Sequence, residues 1–494
     1  MTGRARKRFL DYAALARTKP AFDIEERDWK LELAGRLQAV AASSESEDWP
    51  LRLVGPLKRR RQPHFMPPRH RMWLRGWASS DPESLRLALA PFADSSLDPI
   101  ERFAQFAALA NEAGHGDQAD RRAVKAVLVA IGSLFNFAWD PESLPIVRLQ
   151  PFHRLAQLIG EPIHEGDGSA VARYAGTLEF AGRIRDELER AGVPVRDMID
   201  VQSLIDVCVT EARAWTVDPP SNWLERAYRK PPPGGAYLAV CALFRNEARY
   251  LPEWLEFHRL VGVERFFLYN NASTDDYLDV LAPYLEEQVV VLHDWPAPSP
   301  DQREVFDECV RLHRADARWI AFIDVDEFLF SPTGETLDLL LPEYERWPGV
   351  VVQWAMFSVA GRDGRPDDLV IDSFTLRDTE DLGMVKSVID PLRTVRCMSA
   401  HWFEYEYGLP VDENGWPLAT AGAKAPSFSR LRINHYVSRS EEEAREKIAR
   451  RSGWGHLRAW RRRDLSGELE LVHDDAIATW IPPLRESLER SGVH

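Results

Sequence analysis

The feature that most constrains the fold is a change in hydrophobic pattern across residues 216–235. Before this stretch, apolar residues recur at helical spacing, as in Phe103, Phe106 and Leu109. After it, short apolar runs alternate with amphipathic segments, which is typical of an α/β sheet. The stretch itself contains Pro-Pro-Pro-Gly-Gly, the composition of a semi-rigid linker. We therefore expect a mostly α-helical N-terminal domain at 1–215, a linker at 216–235, an α/β domain at 236–480 and a C-terminal tail at 481–494.

Charge and cysteine usage narrow the class of protein. The formal net charge of -15 argues against wholesale nucleic-acid binding, which needs a basic face. The four cysteines are far apart and form no C-x-x-C pair, so a zinc ribbon or a disulfide scaffold is not expected. The start lacks an apolar signal region, and the longest apolar window, 124–137, is too short to span a membrane and predicts a buried helix. We expect a cytoplasmic protein with no integral membrane segment, associating with the inner face of the membrane only peripherally.

Polar residues follow three of the four strands that the α/β region predicts. The strands are expected at 237–244, 265–269, 289–293 and 319–323. In an open α/β sheet, ligands bind outside the carboxyl ends of the strands. The sequence therefore predicts one cleft lined by three segments, namely Arg245-Asn246-Glu247, the run from Asn270 to Asp276, and Asp324-Val325-Asp326.

Asp324 and Asp326 are the candidate metal ligands. In extended backbone, residues two apart point the same way and would offer two oxygen ligands to one cation. Such ligands suit Mg²⁺ or Mn²⁺, which would bridge to diphosphate oxygens. A capped strand end with solvated carboxylates would show the same triplet, and chance alone supplies such triplets in a chain this long. The apolar strand before it and Glu327-Phe328 after it favour the metal site.

The residues after the second strand have two interpretations. Asn270, Asn271, Ser273 and Asp275 are what an ordinary tight strand-to-helix turn would contain. Alternatively, one of the carboxylates accepts hydrogen bonds from base or ribose hydroxyls. Arg245 is likewise either a surface charge or a group that approaches the diphosphate.

In their order along the chain, these motifs resemble glycosyltransferase family 92. The family begins with a basic residue, Asn and Glu, then E-W-x-x-[YFH]-H, as at 245–247 and 253–258. Its G-V-x-x-F-x-x-Y-[DN]-N-x-S-x-D run matches 262–275, and its W-I-x-F-I-D-x-D-E-F block matches 319–328 after Gln302 and Cys309. A lysine-to-histidine segment from Lys386 to His401 and a closing N-H-Y signature at 434–442 follow. The resemblance spans about 237–453.

The resemblance implies a GT-A fold, a nucleotide-sugar donor, a glycan or other hydroxyl acceptor, a divalent metal and inversion at the anomeric carbon. A late histidine often supplies a metal ligand in such sites, so His435 is the candidate and His401 its substitute. A core histidine bonded to backbone is the alternative for His435, and a solvated lysine the alternative for Lys386 as a phosphate contact. The expected donor-binding residues are Arg245, Asn246, Glu247, Asn270, Asn271, Ser273, Asp275 and Lys386.

An inverting transferase needs a carboxylate base for the acceptor hydroxyl, and the sequence does not single one out. Each candidate is also readily explained as an ordinary surface carboxylate. The family commonly shows F-G-S-x-G-H where this chain has 357–362 ending in Arg362, so the acceptor side departs from the family pattern. The candidate bases are Asp363, Glu380, Asp381 and Glu404.

Three further segments leave alternatives open. The basic stretch 58–61, with arginines and tryptophans at 69–77, suits nucleic acid or a loop before a packed helix. Residues 70–215 weakly resemble regions that precede AAA-type restriction ATPases, although the chain has no Walker-type phosphate loop. The basic run 445–463 predicts a solvated helical face, with donor-phosphate contact as the alternative. A non-catalytic sugar-nucleotide or glycan-binding module, or a nucleic-acid-associated protein acting through its N-terminal domain, are the alternative functions.

Overall fold

The computed structural model of the chain divides into two compact units, Met1–Thr216 and Val217–His494. Most of the predicted linker, the basic stretch 58–61 and the candidate base Asp381 lie outside the described residues. The structure describes residues 2–19, 22–42, 52–53, 57, 66, 68–113, 121–216, 230–231, 233–295, 301–359, 362–380, 382–422, 427–449 and 455–491.

The first unit is helical, as its hydrophobic spacing predicts. Phe103, Phe106 and the apolar face of Arg121–Trp139 are buried in one core, so the apolar window 124–137 is the buried helix expected. Asp98 accepts hydrogen bonds from two backbone amides and closes a capping box at the start of Pro99–Glu112. The helices are Thr2–Arg17, Trp29–Ala42, Pro68–Ser80, Pro82–Leu89, Pro99–Glu112, Arg121–Trp139, Leu149–Ile159, Ala170–Arg190, Met198–Thr210 and Arg213–Thr216, with a π-helical segment at Asp23–Asp28.

A buried cluster of charges joins the two ends of the first unit. Asp200 is fully buried, and its carboxylate accepts hydrogen bonds from Arg27 and from the backbone and side chain of Arg196. Asp197 caps the helix Met198–Thr210 and forms a two-bond pair with Arg27. Asp197 and Asp200 therefore have a structural explanation in a helix start and the ion pairs around it.

The second unit is built on a mixed eight-stranded sheet. Its strand order is β3-β2-β1-β4-β8-β6-β11-β5, and the sheet begins with parallel pairing of β3, β2, β1 and β4. The expected combination of a helical region followed by an α/β domain is confirmed. The strands are β1 Ala236–Phe244, β2 Arg265–Asn270, β3 Val290–Asp294, β4 Ala317–Phe322, β5 Glu327–Phe330, β6 Gly349–Met356, β7 Leu376–Asp378, β8 Val385–Ile389, β9 Thr394–Ser399, β10 Trp402–Tyr405, β11 Arg432–His435 and β12 Leu471–His473.

Helices cover this sheet and extend beyond the expected domain end. Residues 481–494 were expected to be a tail, but Ile481–Ser491 is a helix whose Leu484 is buried in the domain core. Leu484 and Leu488 lie one helical turn apart, and this spacing is the sequence signal that indicates the helix. The longer helices of the unit are Leu251–Leu260, Tyr277–Glu286, Gln302–His313, Glu441–Ala449, Gly455–Leu465 and Ile481–Ser491.

Strand direction brings several segments to one edge of the sheet. The carboxyl ends of β1, β2 and β4 lie there because these strands are parallel. β8 is antiparallel to β4, so it begins at this edge. β11 is parallel to β6, which is antiparallel to β8, so β11 ends there and its antiparallel partner β5 begins there. This edge is where the sequence predicts the cleft.

The state of the cysteines and the apolar character of the helices bear on the expected class of protein. All four cysteines are buried free thiols. Within the described part of the chain, no helix combines the length and apolar character needed to cross a bilayer.

Candidate active site at the sheet edge

Three side chains at this edge point their ligand atoms at one another. Asp326, Glu327 and His435 offer oxygen and nitrogen atoms that all lie within 4.8 Å of one another. Glu327 and His435 are opposite each other in the β5–β11 ladder, and the Tyr436 amide donates to the Asp326 carbonyl over 2.9 Å. Backbone pairing thus fixes the positions from which all three side chains project.

Asp324 is held differently from Asp326. Its carboxylate accepts hydrogen bonds from Lys386 Nζ at 2.8 Å and Gln302 Nε2 at 2.7 Å, and it is not one of the three clustered ligands. The chain turns directly after β4, where the Glu327 amide donates to the Asp324 carbonyl. Because the two-residue alternation holds only in extended backbone, the structure does not bring Asp324 into the cluster that contains Asp326, and a cation shared by both aspartates stays a prediction. Glu327, which sequence reasoning did not select, takes the place of Asp324 in the cluster.

Burial and neighbouring charges act in opposite directions on the acids of this cluster, and the balance differs between Asp326 and Glu327. Burial would raise the pKa of Asp326, but His435, Lys447 and Arg439 outweigh it and hold that pKa well below its usual range. Burial raises the pKa of Glu327 well above its usual range despite the nearby Lys386. Lys386 is 1% exposed, and its Nζ lies 3.6 Å from Glu327 Oε1. Burial would lower the pKa of Lys386, but Asp324 first and Glu327 next raise it.

The cluster has the properties of a cation site. Glu327 Oε1 and His435 Nδ1 are buried and form no hydrogen bond, and His435 Nε2 is 3.5 Å from Asp326 Oδ1. Buried polar atoms without partners are rare and call for an explanation such as an ion. Two carboxylates and an imidazole suit a divalent ion such as Mn²⁺. These three residues therefore fit the divalent metal that the sequence implies.

His401, the substitute ligand, lies close to His435 but is bonded elsewhere. Its Nδ1 is 2.9 Å from the Val385 carbonyl, and Trp354 packs against the rings of both histidines. Burial, reinforced by the charge of Lys386, lowers the pKa of His401 to about 3, so the ring is neutral at ordinary pH.

The loops after β1 and β2 are fastened to each other. The Asn246 amide donates to Ser273 Oγ, and Asn246 Oδ1 accepts from the Thr274 amide at 2.7 Å. Asp275 accepts from the Ala248 amide, and Asn270 Oδ1 accepts from the Ser273 amide. The polar residues of both strand ends thus shape the two loops, as the turn interpretation predicts.

The remaining donor-side candidates differ in burial. Arg245 is exposed, whereas Asn271 is half-buried and its side-chain oxygen forms no hydrogen bond. Glu247 accepts a hydrogen bond from Arg439 at 2.9 Å, and burial raises its pKa. Asn271 and Glu247 therefore retain acceptor capacity at this edge.

Arg439 links the loop after β1 to the turn after β4. Besides Glu247, its guanidinium donates to the Val325 carbonyl at 3.1 Å and lies 3.9 Å from the Tyr250 ring centre. The side chain is 1% exposed. Sequence reasoning assigned Arg439 no role, although its place in the closing signature at 434–442 was a usable signal.

The E-W-x-x-F-H segment supports the site from behind. Glu253 accepts hydrogen bonds from the Val370 and Ile371 amides, and the Trp254 indole donates to the Glu327 carbonyl at 2.9 Å. His258 Nε2 accepts from the Leu329 amide. Two side chains of this motif thus bond directly to the strand that carries Glu327.

The basic run at 445–463 is not uniformly solvated, which corrects the expectation. Arg445 is exposed and pairs with Glu441 on its own helix. Lys447 is only 17% exposed and its Nζ lies 3.6 Å from Asp326 Oδ2, while Arg461 is buried. Helical spacing places Lys447 on the inner face, and the identity of the residues alone did not reveal which face that is.

The candidate bases are spread over the second unit. Asp363 is exposed, Glu380 pairs with Arg463 at 2.6 Å, and Glu404 pairs with Arg396 at 2.8 Å between β9 and β10. Arg362, where the family commonly has histidine, is exposed with its guanidinium 5.6 Å from the Phe374 ring centre. The structure gives none of the three described carboxylates a direct contact with the Asp326 cluster.

Residues 236–417 match the model of glycosyltransferase family 92. A family 92 protein of Oryza sativa subsp. japonica is 33% identical over 220 residues, covering 43% of this chain and 35% of that protein. A family 92 protein of Arabidopsis thaliana is 33% identical over 186 residues, covering 35% of this chain and 32% of that protein. This chain thus spans about a third of the length of these relatives.

The galactan beta-1,4-galactosyltransferase GALS2 of Arabidopsis thaliana is 26% identical over 110 residues, covering 20% of this chain and 21% of that protein. Among solved structures, S. aureus TarS 1-349 in complex with UDP-GlcNAc aligns with 14% identity and a TM-score of 0.23. That alignment covers 31% of this chain and 45% of the TarS chain. The family match and the sequence relatives agree with the resemblance that the motifs carry.

Proposed function

Because residues 236–417 form a glycosyltransferase family 92 domain, we propose that this chain moves a hexose from a nucleotide sugar to an acceptor hydroxyl, with inversion and with a divalent metal. The observation that carries the proposal is the convergence of Asp326, Glu327 and His435 at the carboxyl edge of the sheet. The donor would bind at this edge, where strand ends in α/β folds bind their ligands. A glycan or another hydroxyl compound would be the acceptor.

The proposed site supplies electrostatic stabilisation. Asp326, Glu327 and His435 would hold Mn²⁺ or Mg²⁺, whose positive charge offsets the charge that develops on the departing diphosphate. Lys386 keeps Asp324 in place through a 2.8 Å ion pair, and Arg439 fixes Glu247 beside the same edge. The donor-side candidates Arg245, Asn271 and Glu247 would then contact the nucleotide or sugar.

Inversion requires direct displacement at the anomeric carbon. The acceptor oxygen forms its bond to that carbon as the bond to the diphosphate breaks, and a carboxylate takes the hydroxyl proton. We propose that this carboxylate is one of Asp363, Glu380, Asp381 and Glu404. Glu380 and Glu404 would have to leave their arginine partners to serve, so the exposed Asp363 is tested before them.

The test is a screen of nucleotide sugars with Mn²⁺ and with a chelator, measuring release of nucleoside diphosphate. We expect metal-dependent release by the wild type. Asp326→Asn and His435→Ala should each reduce the rate by about a hundredfold or more, since removing one transition-state contact typically costs that much. Isothermal titration with Mn²⁺ alone should show the same two variants losing metal affinity.

Matched controls separate the site from general damage. Asp279→Asn and His473→Ala change the same residue types at exposed positions, so both should keep wild-type rates. Metal-dependent turnover that survives Asp326→Asn would disprove the proposed site. Tight donor binding without turnover would instead favour a non-catalytic binding module.

A further inference from the structure

Lys447 lies on the helix Glu441–Ala449, and its ammonium group is close to Asp326 of the proposed metal site. Its Nζ lies 3.6 Å from Asp326 Oδ2, 2.7 Å from Glu443 Oε1 and 2.7 Å from the Val437 carbonyl. The side chain is 17% exposed, so its charge acts in a partly water-excluded setting. This helix lies beyond residue 417, where the family match ends.

The ion pair between Lys447 and Asp326 opposes metal binding. A divalent cation held by Asp326, Glu327 and His435 would sit beside the ammonium group, and like charges at this range repel. Glu443 and the Val437 carbonyl can hold the ammonium without Asp326, since both already bond it at 2.7 Å. A bound metal would therefore push the Lys447 ammonium group away from Asp326, while Glu443 and the Val437 carbonyl would keep it at the edge of the site.

A second cation, which is buried, lies on the neighbouring helix. Arg461, in Gly455–Leu465, is 4% exposed, and its charge interacts with those of Asp326 and Glu443. Two cations beside a metal site are suited to bind an anion together with the metal. Their positive charges offset the negative charge of the anion in a place where water is partly excluded. A diphosphate is such an anion, and it has enough oxygens to contact both the metal and an ammonium group.

We propose that Lys447 is a donor-binding residue that contacts the diphosphate of the nucleotide sugar once the metal has replaced it at Asp326. This inference rests on the proposed function and assigns the recognition of the leaving group to the helix Glu441–Ala449, beyond residue 417, where the match to the family model ends. It predicts two effects of opposite sign when the ammonium group is removed. Metal alone should bind more tightly, and nucleoside diphosphate in the presence of metal should bind more weakly.

The experiment measures both affinities by isothermal titration for the wild type, Lys447→Met and Lys447→Arg. We expect Lys447→Met to tighten Mn²⁺ binding about threefold and to weaken binding of UDP, GDP, CDP or ADP with Mn²⁺ about tenfold, the loss of one charge-assisted contact. Lys447→Arg should recover most of the diphosphate affinity. Arg445→Met, an exposed arginine on the same helix, should change neither affinity.

The outcomes separate this inference from the proposed function. Damage to the helix would weaken both affinities together, so a parallel loss in Lys447→Met contradicts the proposed role, as does unchanged diphosphate binding. If the wild type binds Mn²⁺ and a nucleoside diphosphate and releases diphosphate from a donor with metal, the proposed function stands whatever Lys447→Met does. If the wild type binds none of the four nucleotides with Mn²⁺, both proposals fail.

Discussion

The two units each bury a cluster of charges, but the clusters are completed differently. Around Asp200 in the first unit, both carboxylate oxygens accept hydrogen bonds from arginines. Around Asp326 in the second unit, Glu327 Oε1 and His435 Nδ1 are buried without a hydrogen bond. Burial and charge are common to both, so neither marks a functional site. What distinguishes the second cluster is ligand capacity that the protein itself leaves unused.

The largest effects are expected when the same substitution, Asp to Asn, is made in each of the two clusters. Asp200→Asn leaves Arg27 and Arg196 with too little negative charge and should destabilise the first unit by about 3 kcal/mol. Asp326→Asn should instead abolish Mn²⁺ binding and cost much less stability. Hydrogen exchange across Met198–Thr210 reports the first effect, and Mn²⁺ titration the second. A loss of Mn²⁺ affinity in Asp200→Asn would show that the clusters are not independent.

An effect of intermediate size is expected on the pH dependence of stability, through the buried Glu253 of the second unit. Burial raises the pKa of Glu253 to about 7 although two backbone amides donate to it. Since the folded pKa exceeds the unfolded value, the stabilising contribution is complete below about pH 4.5 and is lost as pH rises to about 7. The loss amounts to about 3 kcal/mol at most.

Glu253→Gln removes this titration, because the amide oxygen can still accept from Val370 or Ile371 without ionising. The difference in urea stability between wild type and Glu253→Gln should therefore favour the wild type at pH 4.5 and shift towards the variant by pH 8. A difference that is constant over this range would mean that folding does not shift the pKa of Glu253.

The smallest effects are expected where charge pairs face solvent in either unit. Arg36 pairs with Glu32, and Arg445 with Glu441, each across one helical turn and each with its arginine more than half exposed. Exposed pairs of this kind contribute less than about 0.5 kcal/mol. Arg36→Ala and Arg445→Ala should thus leave the urea midpoint nearly unchanged. A shift above about 1 kcal/mol in either would assign that pair to a larger network.

Much of the second unit was predictable from sequence because its signals are local. Strands β1 to β4 lie within two residues of their predicted bounds, and the ligand candidates Asp326 and His435 lie together in the proposed ion site. Glu327 was not selected because it directly precedes the apolar residues Phe328 to Phe330, so the sequence indicates only a strand residue there. Its proximity to the other ligand atoms becomes visible only when its cross-strand neighbour is known. That neighbour, His435, is set by pairing between distant segments, which no local pattern encodes.

The position of the Lys447 side chain near Asp326 and the hydrogen bond from Arg439 to the Val325 carbonyl are likewise contacts between distant segments of the chain. Both depend on how the helix Glu441–Ala449 packs at the edge, and the density of arginines there concealed which side chains face inwards. The sequence also suggested that both aspartates of the triplet share one cation, because the turn at 323–326 was not anticipated.

The pairing of Glu327 with His435 has a consequence for how the protein is made. β11 lies between β6 and β5, so β5 has no place in the sheet until residues 432–435 have been synthesised. A nascent chain that ends at residue 417 would contain every residue of the family match and yet lack one wall of the site. Cutting the gene at the boundary of the family match would therefore yield a fragment without its proposed ion-binding centre.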